Sequence, residues 1–195
     1  MACACGQRGP DARRWRFLVA ATVWWAAVLA FVPLARPIVE GLRGMGWLET
    51  SVRSTFFVLS VALAWAWLGW RRRRGLSWSA ALLWLGGCVA LAALAQMLPR
   101  AEERIHLIQY GVLGMLLWEA WPGRWPARVA GALAVGSLAG WLDEVLQWFV
   151  PERVYDLRDF GLNALAVGLG VGLGAWRTWL ARAATVATAE AGGEA

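Results

Sequence analysis

Six long apolar blocks are the feature of this 195-residue sequence that most restricts its fold. They cover residues 17–35, 54–70, 77–98, 105–121, 127–150 and 160–180. A helix rises about 1.5 Å per residue, so roughly 20 apolar residues cross the hydrocarbon core of a bilayer. Continuous blocks also differ from the three-to-four-residue repeat of a water-soluble amphipathic helix. The sequence therefore predicts an all-α, polytopic transmembrane bundle of about six helices.

The composition supports a membrane environment. Apolar residues make up 59% of the chain and charged residues 16%, whereas soluble domains average about half apolar and a quarter charged. The net charge of +6 comes from arginines that lie at the ends of the apolar blocks, as charges flanking membrane helices do. We therefore expect membrane lipid as the surrounding partner, and no nucleic acid.

The chain divides into a helical bundle and two tails. Residues 1–16 are predicted to be a cytoplasmic tail, residues 17–182 the transmembrane bundle, and residues 183–195, rich in Ala, Thr, Glu and Gly, a disordered tail. The arginine-rich start and the first block also resemble a signal peptide. Because that block is long and has no clear cleavage site before Arg36, we expect an uncleaved anchor.

Arginine placement predicts the orientation of the bundle. If all six blocks span the membrane, both tails share one side with the loops at 71–76 and 122–126, and that side carries 12 of the 19 arginines. Cytoplasmic loops of membrane proteins are enriched in basic residues. Both termini are therefore predicted to be cytoplasmic.

Glycine spacing in the last two blocks predicts tight helix packing. The fifth block contains Gly136 and Gly140, four residues apart. The sixth contains two overlapping four-residue spacings, formed by Gly168, Gly170, Gly172 and Gly174. Small residues at this spacing let helix backbones approach closely in a bilayer. We expect both helices to pack closely against neighbours.

Polar residues recur near the ends of the last three blocks, and their spacing places pairs of them on one helix face. His106 and Tyr110 are four residues apart, and Glu144 and Gln147 are three apart. Asp159 and Asn163, again four apart, begin the sixth block. In the predicted topology these block ends meet at the outer edge of the membrane.

Placing a carboxylate such as Glu144 inside a membrane helix costs a few kcal/mol unless the carboxylate is paired with a cation or hydrated. The arginines available to pair with it are Arg104, Arg153 and Arg158. The candidate functional cluster consists of Arg104, His106, Tyr110, Glu144, Gln147, Arg153, Asp156, Asp159 and Asn163. Structural roles are the alternative: a helix cap for Asp159, a salt bridge for Glu144, and an interfacial position for His106.

These residues, in this order and spacing, resemble the VanZ-like family. The resemblance rests on Arg104-x-His106-x-x-x-Tyr110, on Glu144-x-x-Gln147, and on Arg153-x-x-Asp156-x-x-Asp159-x-x-x-Asn163, within roughly residues 80–180. It departs from the family where Ala166 replaces a usual glycine. The resemblance implies a small multi-pass protein of the bacterial cytoplasmic membrane, in a family named for a member that gives resistance to the glycopeptide teicoplanin.

Three functions remain open at this point. The first is a binding or accessory protein at the outer membrane face, linked to teicoplanin resistance or envelope maintenance, whose partner is a lipid-linked envelope precursor or an amphiphilic antibiotic. The second is a membrane-embedded enzyme with His106 as general acid or base. The third is a small transporter, although no inverted repeat is obvious and the charges collect at one membrane edge with nothing comparable at mid-membrane.

No cofactor or metal is expected from the motifs. The sequence has no nucleophile elbow, His-Glu-x-x-His pair or phosphate-binding loop. Cys3, Cys5 and Cys88 form neither a disulfide framework nor a zinc pattern. The chain has one histidine, which excludes a multi-histidine metal site but leaves open a site made of His106 and carboxylates. We expect a binding protein rather than an enzyme.

Overall fold

A computed structural model describes residues 10–55, 101–149 and 157–193, together with residues 82, 85, 86, 89, 93 and 96–98. Its four long helices are α1 (Pro10–Gly44), α2 (Ala101–Ala120), α3 (Trp125–Trp148) and α4 (Leu157–Gly193). A further helical segment covers 48–55. Across these described ranges there is no strand, and the predicted all-α class is confirmed.

Three of these helices contain a stretch that is long and apolar enough to span a membrane. The stretches are Asp11–Leu34 in α1, Trp125–Trp148 in α3 and Leu157–Ala183 in α4. The 20-residue α2 is not among them, because it carries four charged residues, Glu102, Glu103, Arg104 and Glu119. The chain is thus a membrane protein. Most of the second and third predicted blocks lies outside the described residues, so the count of six helices stays a prediction.

Local sequence explains where the helices begin. Pro126 stands at the start of α3, where its missing N–H removes no helical hydrogen bond. Gly123, with φ of +102°, makes the turn between α2 and α3, because only glycine adopts this backbone conformation without strain. Gly46, with φ of +72°, makes the turn that follows α1. The turn at Gly123 therefore connects the end of α2 directly to the start of α3.

The helices extend beyond the apolar blocks that predicted them. α1 begins at Pro10, within the predicted N-terminal tail, and continues to Gly44. α4 continues to Gly193, whereas we predicted a disordered tail from residue 183. Alanine has the highest helix propensity, and residues 181–191 contain six alanines, so the helix can continue after the apolar stretch ends.

The chain forms two compact units. The first contains α1 up to Leu34, α2 from His106, α3, and α4 up to Gly174. The second contains the remaining parts, including the helical segment 48–55 and the start of α2. In the second unit, Leu48 and Val52 form a small apolar core with Val39, Leu42 and Ile105 packed around it.

Glycines allow α2 and α4 to approach each other closely in the first unit. A Cβ atom at Gly170 would collide with the backbone carbonyl of Gly111, and one at Gly114 with the backbone of Val167. Such contacts require a residue with no side chain. Backbone contact between α2 and α4 therefore fixes how far apart their side chains can lie.

The predicted close packing of Gly136 and Gly140 is confirmed, because a Cβ at either position would collide with a side chain of α4. In α4 only one of the two predicted spacings is used for packing. Gly170 and Gly174 face α2, whereas a Cβ at Gly172 would meet nothing within 4 Å.

Candidate functional site

The first turns of α2 place His106 and Tyr110 on one face. They are four residues apart, and their rings stack with centroids 6.2 Å apart and an interplanar angle of 10°. Tyr110 is 1% exposed and His106 is half-buried. α2 thus supplies one imidazole and one buried hydroxyl to the interior of the first unit.

Near its C-terminal end, α3 supplies two consecutive carboxylates. Asp143 and Glu144 are 1% and 0% exposed, and they lie about 6–8 Å of helix rise before Trp148. The hydroxyl of Tyr110 donates a hydrogen bond of 2.8 Å to Asp143 Oδ2. Among the described residues, none donates a hydrogen bond to Asp143 Oδ1.

The amide of Gln147 extends this group by one turn of α3. Its Nε2 donates to Glu144 Oε1 over 3.4 Å, and the residue is 3% exposed. The three-residue spacing that the sequence showed is what brings the amide onto the face of the carboxylate.

From α4, Asn163 orients the imidazole. Its Oδ1 lies 3.0 Å from His106 Nδ1, and its Nδ2 donates to the carbonyl of Gly140 over 3.5 Å. With the amide oriented in this way, Oδ1 is the acceptor and Nδ1 carries the proton. Gly140 has no side chain, which leaves room for Asn163: a Cβ there would lie 2.8 Å from the Asn163 Cβ.

Six residues therefore form one group, which we call the buried polar cluster. Its members are His106, Tyr110, Asp143, Glu144, Gln147 and Asn163. One ligand atom each of His106, Asp143 and Glu144 lies within 4.8 Å of the other two. The cluster brings carboxylates and an imidazole together, which suits binding of hydrogen-bond donors or of a cation.

The structure gathers five of the nine predicted residues in this cluster: His106, Tyr110, Glu144, Gln147 and Asn163. Asp159 lies half-buried in the first turn of α4, where a carboxylate is favourable near the helix N-terminus. Arg153 and Asp156 lie outside the described residues.

Asp143 is a residue of this cluster that the sequence did not predict, although it is adjacent to Glu144. Consecutive helical residues point in different directions, so the face that carries Glu144 and Gln147 does not by itself include Asp143. An interior position for both carboxylates arises because α2 and α4 both pack against α3. The sequence signal for Asp143 was that it is a second acid in a helix that is otherwise apolar up to that point.

Arg104, one of the three arginines that the sequence offered as possible partners of Glu144, has its partners in the second unit, where it pairs with Glu49. Its Nη1 donates to Glu49 Oε1 over 2.6 Å, and its Nη2 donates to the carbonyl of Leu98 over 2.9 Å. Arg53 Nε also donates to Glu49, over 2.9 Å. The hydrogen bond from Arg104 is the main reason why the pKa of Glu49 is below its usual value.

Comparison with known families identifies the family of the chain. The sequence model of the VanZ/LLP1 family matches residues 16–179, which include α3, most of α1 and α4, and the whole buried polar cluster. No curated protein and no solved structure matches the chain. The matched region is more than four-fifths of the sequence. The chain therefore belongs to the VanZ/LLP1 family.

Proposed function

We propose that this chain is an accessory protein that binds the polar headgroup of an envelope amphiphile at the buried polar cluster. The ligand class comprises lipid-linked envelope precursors and amphiphilic antibiotics such as teicoplanin. The observation that carries the proposal is the buried oxygen Asp143 Oδ1, to which no described residue donates. Leaving a buried polar atom unsatisfied costs about 1–3 kcal/mol, so a ligand that supplies a donor or a cation gains that free energy.

The surroundings of the cluster suit an amphiphile. At the end of α3 that follows Glu144, Trp148 and Phe149 are 69% and 79% exposed. Indole and phenyl rings contact acyl chains and the interfacial zone of a bilayer favourably. An apolar ligand tail can therefore lie along these rings while its headgroup reaches the carboxylates. The arginine distribution supports placing this end at the outer face of the bacterial cytoplasmic membrane.

A deletion strain of the native host provides the test. It is scored for sensitivity to teicoplanin and to other envelope-active compounds, and complemented with the wild type, Asp143→Asn or Glu144→Gln. We expect the wild type to restore resistance and both variants to fail. Glu119→Gln is the matched control, since Glu119 is a carboxylate of α2 that pairs with Arg13 rather than with the cluster. The proposal is abandoned if the deletion has no phenotype, or if both variants complement at equal expression.

A membrane-embedded enzyme is the second candidate, and the orientation of His106 favours it. A general base acts most effectively when another group holds its ring, as Asn163 does here through Nδ1. Purified chain incubated with a lipid phosphate would then release product, and His106→Ala would abolish that release. Absence of turnover by the wild type removes this candidate.

A further inference from the structure

We propose that His106, Asp143 and Glu144 bind a divalent transition-metal cation. The cation would also bind oxygen atoms of the amphiphile headgroup, and this part of the inference rests on the proposed function. The binding of the cation itself is argued from the three side chains and the residues that contact them.

The ligand atoms are already close to coordination geometry. One atom from each of the three side chains lies within 4.8 Å of the other two. A tetrahedral ion with bonds of about 2.1 Å holds its ligands about 3.4 Å apart. The remaining gap is at most about 1.4 Å, a distance that side-chain rotation can close.

The imidazole is oriented as metal-binding histidines usually are. Nδ1 donates its proton to Asn163 Oδ1, which leaves the lone pair of a neutral ring on Nε2. A ligating histidine almost always donates its other N–H to a carbonyl or carboxylate, which fixes the tautomer and the direction of the lone pair. Asn163 is itself held by the carbonyl of Gly140. It is a positioning residue for the cation site.

The carboxylates provide the charge. Carboxylates are the ligands of this set that can carry negative charge, and buried charges in proteins are paired or coordinate metals. Tyr110 occupies Oδ2 of Asp143, while Oδ1 accepts no hydrogen bond from the described residues and is free to coordinate. A divalent cation at this point would satisfy Oδ1 of Asp143.

The donor set indicates which kind of cation binds. One imidazole nitrogen with two carboxylate oxygens suits Mn²⁺ or Zn²⁺ better than Ca²⁺, which prefers six to eight oxygen ligands. Three protein ligands also leave at least one coordination position for water or for an oxygen of a bound molecule, as in catalytic zinc sites. The cation can therefore contact a headgroup while the protein holds it.

Equilibrium binding of Mn²⁺ tests the site without any amphiphile. The full chain is purified in detergent with a tag that contains no histidine, stripped with a chelator and titrated while free Mn²⁺ is measured by electron paramagnetic resonance. We expect one ion per chain, and at least about tenfold weaker binding in Asp143→Asn, Glu144→Gln and the positioning variant Asn163→Ala. Glu119→Gln should bind like the wild type. Equal binding by all variants, or no binding by the wild type, overturns the inference.

A second measurement uses only the wild type, in case a variant does not fold. Because the chain contains a single histidine, pulsed electron paramagnetic resonance of bound Mn²⁺ should show ¹⁴N coupling from one imidazole, that of His106. An excess of Zn²⁺ should displace Mn²⁺, since zinc binds mixed nitrogen and oxygen sites more tightly. Bound Mn²⁺ without ¹⁴N coupling would lie elsewhere and would overturn the inference.

These results are independent of the resistance assay. Stoichiometric binding of Mn²⁺ at His106, combined with a deletion strain that has no phenotype, supports the cation and removes the proposed function. The opposite pair of results, a phenotype that depends on Asp143 and no bound ion, overturns the cation and keeps the proposed function.

Discussion

Asp143 and Tyr110 form a buried hydrogen bond in the cluster. The hydroxyl of Tyr110 donates to Oδ2, and both residues are almost fully buried. In Tyr110→Phe the carboxylate loses this donor, so we expect the free energy of unfolding to fall by about 1–3 kcal/mol. Chemical unfolding in detergent, with a chelator present to remove any bound metal, measures the change.

A double-mutant cycle separates this hydrogen bond from other effects of the substitution. Replacing Asp143 by Ala together with Tyr110→Phe should cost less than the sum of the two single changes, since each single change removes the same hydrogen bond. Additive losses would show that the hydroxyl and the carboxylate do not stabilise each other.

Glu49 makes stability depend on pH in the second unit. Its pKa is lowered, first by the hydrogen bond from Arg104, with a smaller contribution from Arg53. A carboxyl with a lowered folded-state pKa stabilises the protein above its unfolded-state pKa of 4.5, and this contribution is lost as the pH falls through the folded-state pKa. Glu49→Gln should therefore lose less stability than the wild type between about pH 7 and about pH 3.

The midpoint of thermal unfolding in detergent, measured at both pH values, provides the comparison. Arg53→Gln is the matched control, because the larger interaction with Arg104 remains and most of the pH response should persist. If Glu49→Gln and the wild type responded equally to pH, this ion pair would not contribute to acid sensitivity.

At the residue scale, the sequence predicted which side chains share a helix face better than it predicted which residues they contact across the fold. Spacings of three and four residues placed His106 with Tyr110, and Glu144 with Gln147, because these pairs follow from helix geometry alone. The partner of Arg104 lies 55 residues away in the chain and depends on tertiary packing. By charge alone, Glu144 and Glu49 are equally suitable partners for Arg104.

At the element scale, α2 and α4 meet through backbone contact at Gly170. Gly170→Ala would place a methyl group against the carbonyl of Gly111, and the helices would have to separate. Overpacking of this kind costs about 1–3 kcal/mol, so we expect an unfolding midpoint below that of the wild type. Gly172→Ala, two residues away in open space, is the matched control and should unfold like the wild type. Equal stability of the two variants would contradict the proposed backbone contact.

Helix identity was predictable, whereas helix length and the packed glycine face were not. Hydropathy marks only the part of a helix that lies in hydrocarbon, while hydrogen bonding continues α1 and α4 into more polar sequence. The two glycine spacings in α4 are equivalent by pattern. The facing residues of α2 select Gly170 and Gly174, and a single sequence does not show which helix faces them.

At the scale of the first unit, a second set of contacts joins the other ends of the helices. Arg13 of α1 pairs with Glu119 of α2 at 3.0 Å. Arg128 of α3 donates to the carbonyl of Trp118 over 2.6 Å and lies 4.1 Å above its ring. Trp118 is 12 residues after His106, or about 18 Å along α2. The arginine-rich end of the unit is thus separated from the buried polar cluster by more than half the hydrocarbon thickness.

This separation makes the orientation of the whole molecule a decisive test of where the cluster can meet a ligand. Basic residues are retained in the cytoplasm, so the end with Arg13 and Arg128 should be cytoplasmic and the cluster should open toward the outer leaflet. A reporter fused after Ala195 should be active in the cytoplasm, and one inserted near Glu152 should be active outside. The same pair of reporters in a strain lacking the chromosomal copy controls for expression. If the reporter near Glu152 were cytoplasmic, the cluster would face the inner leaflet, and an antibiotic arriving from outside would not be its ligand.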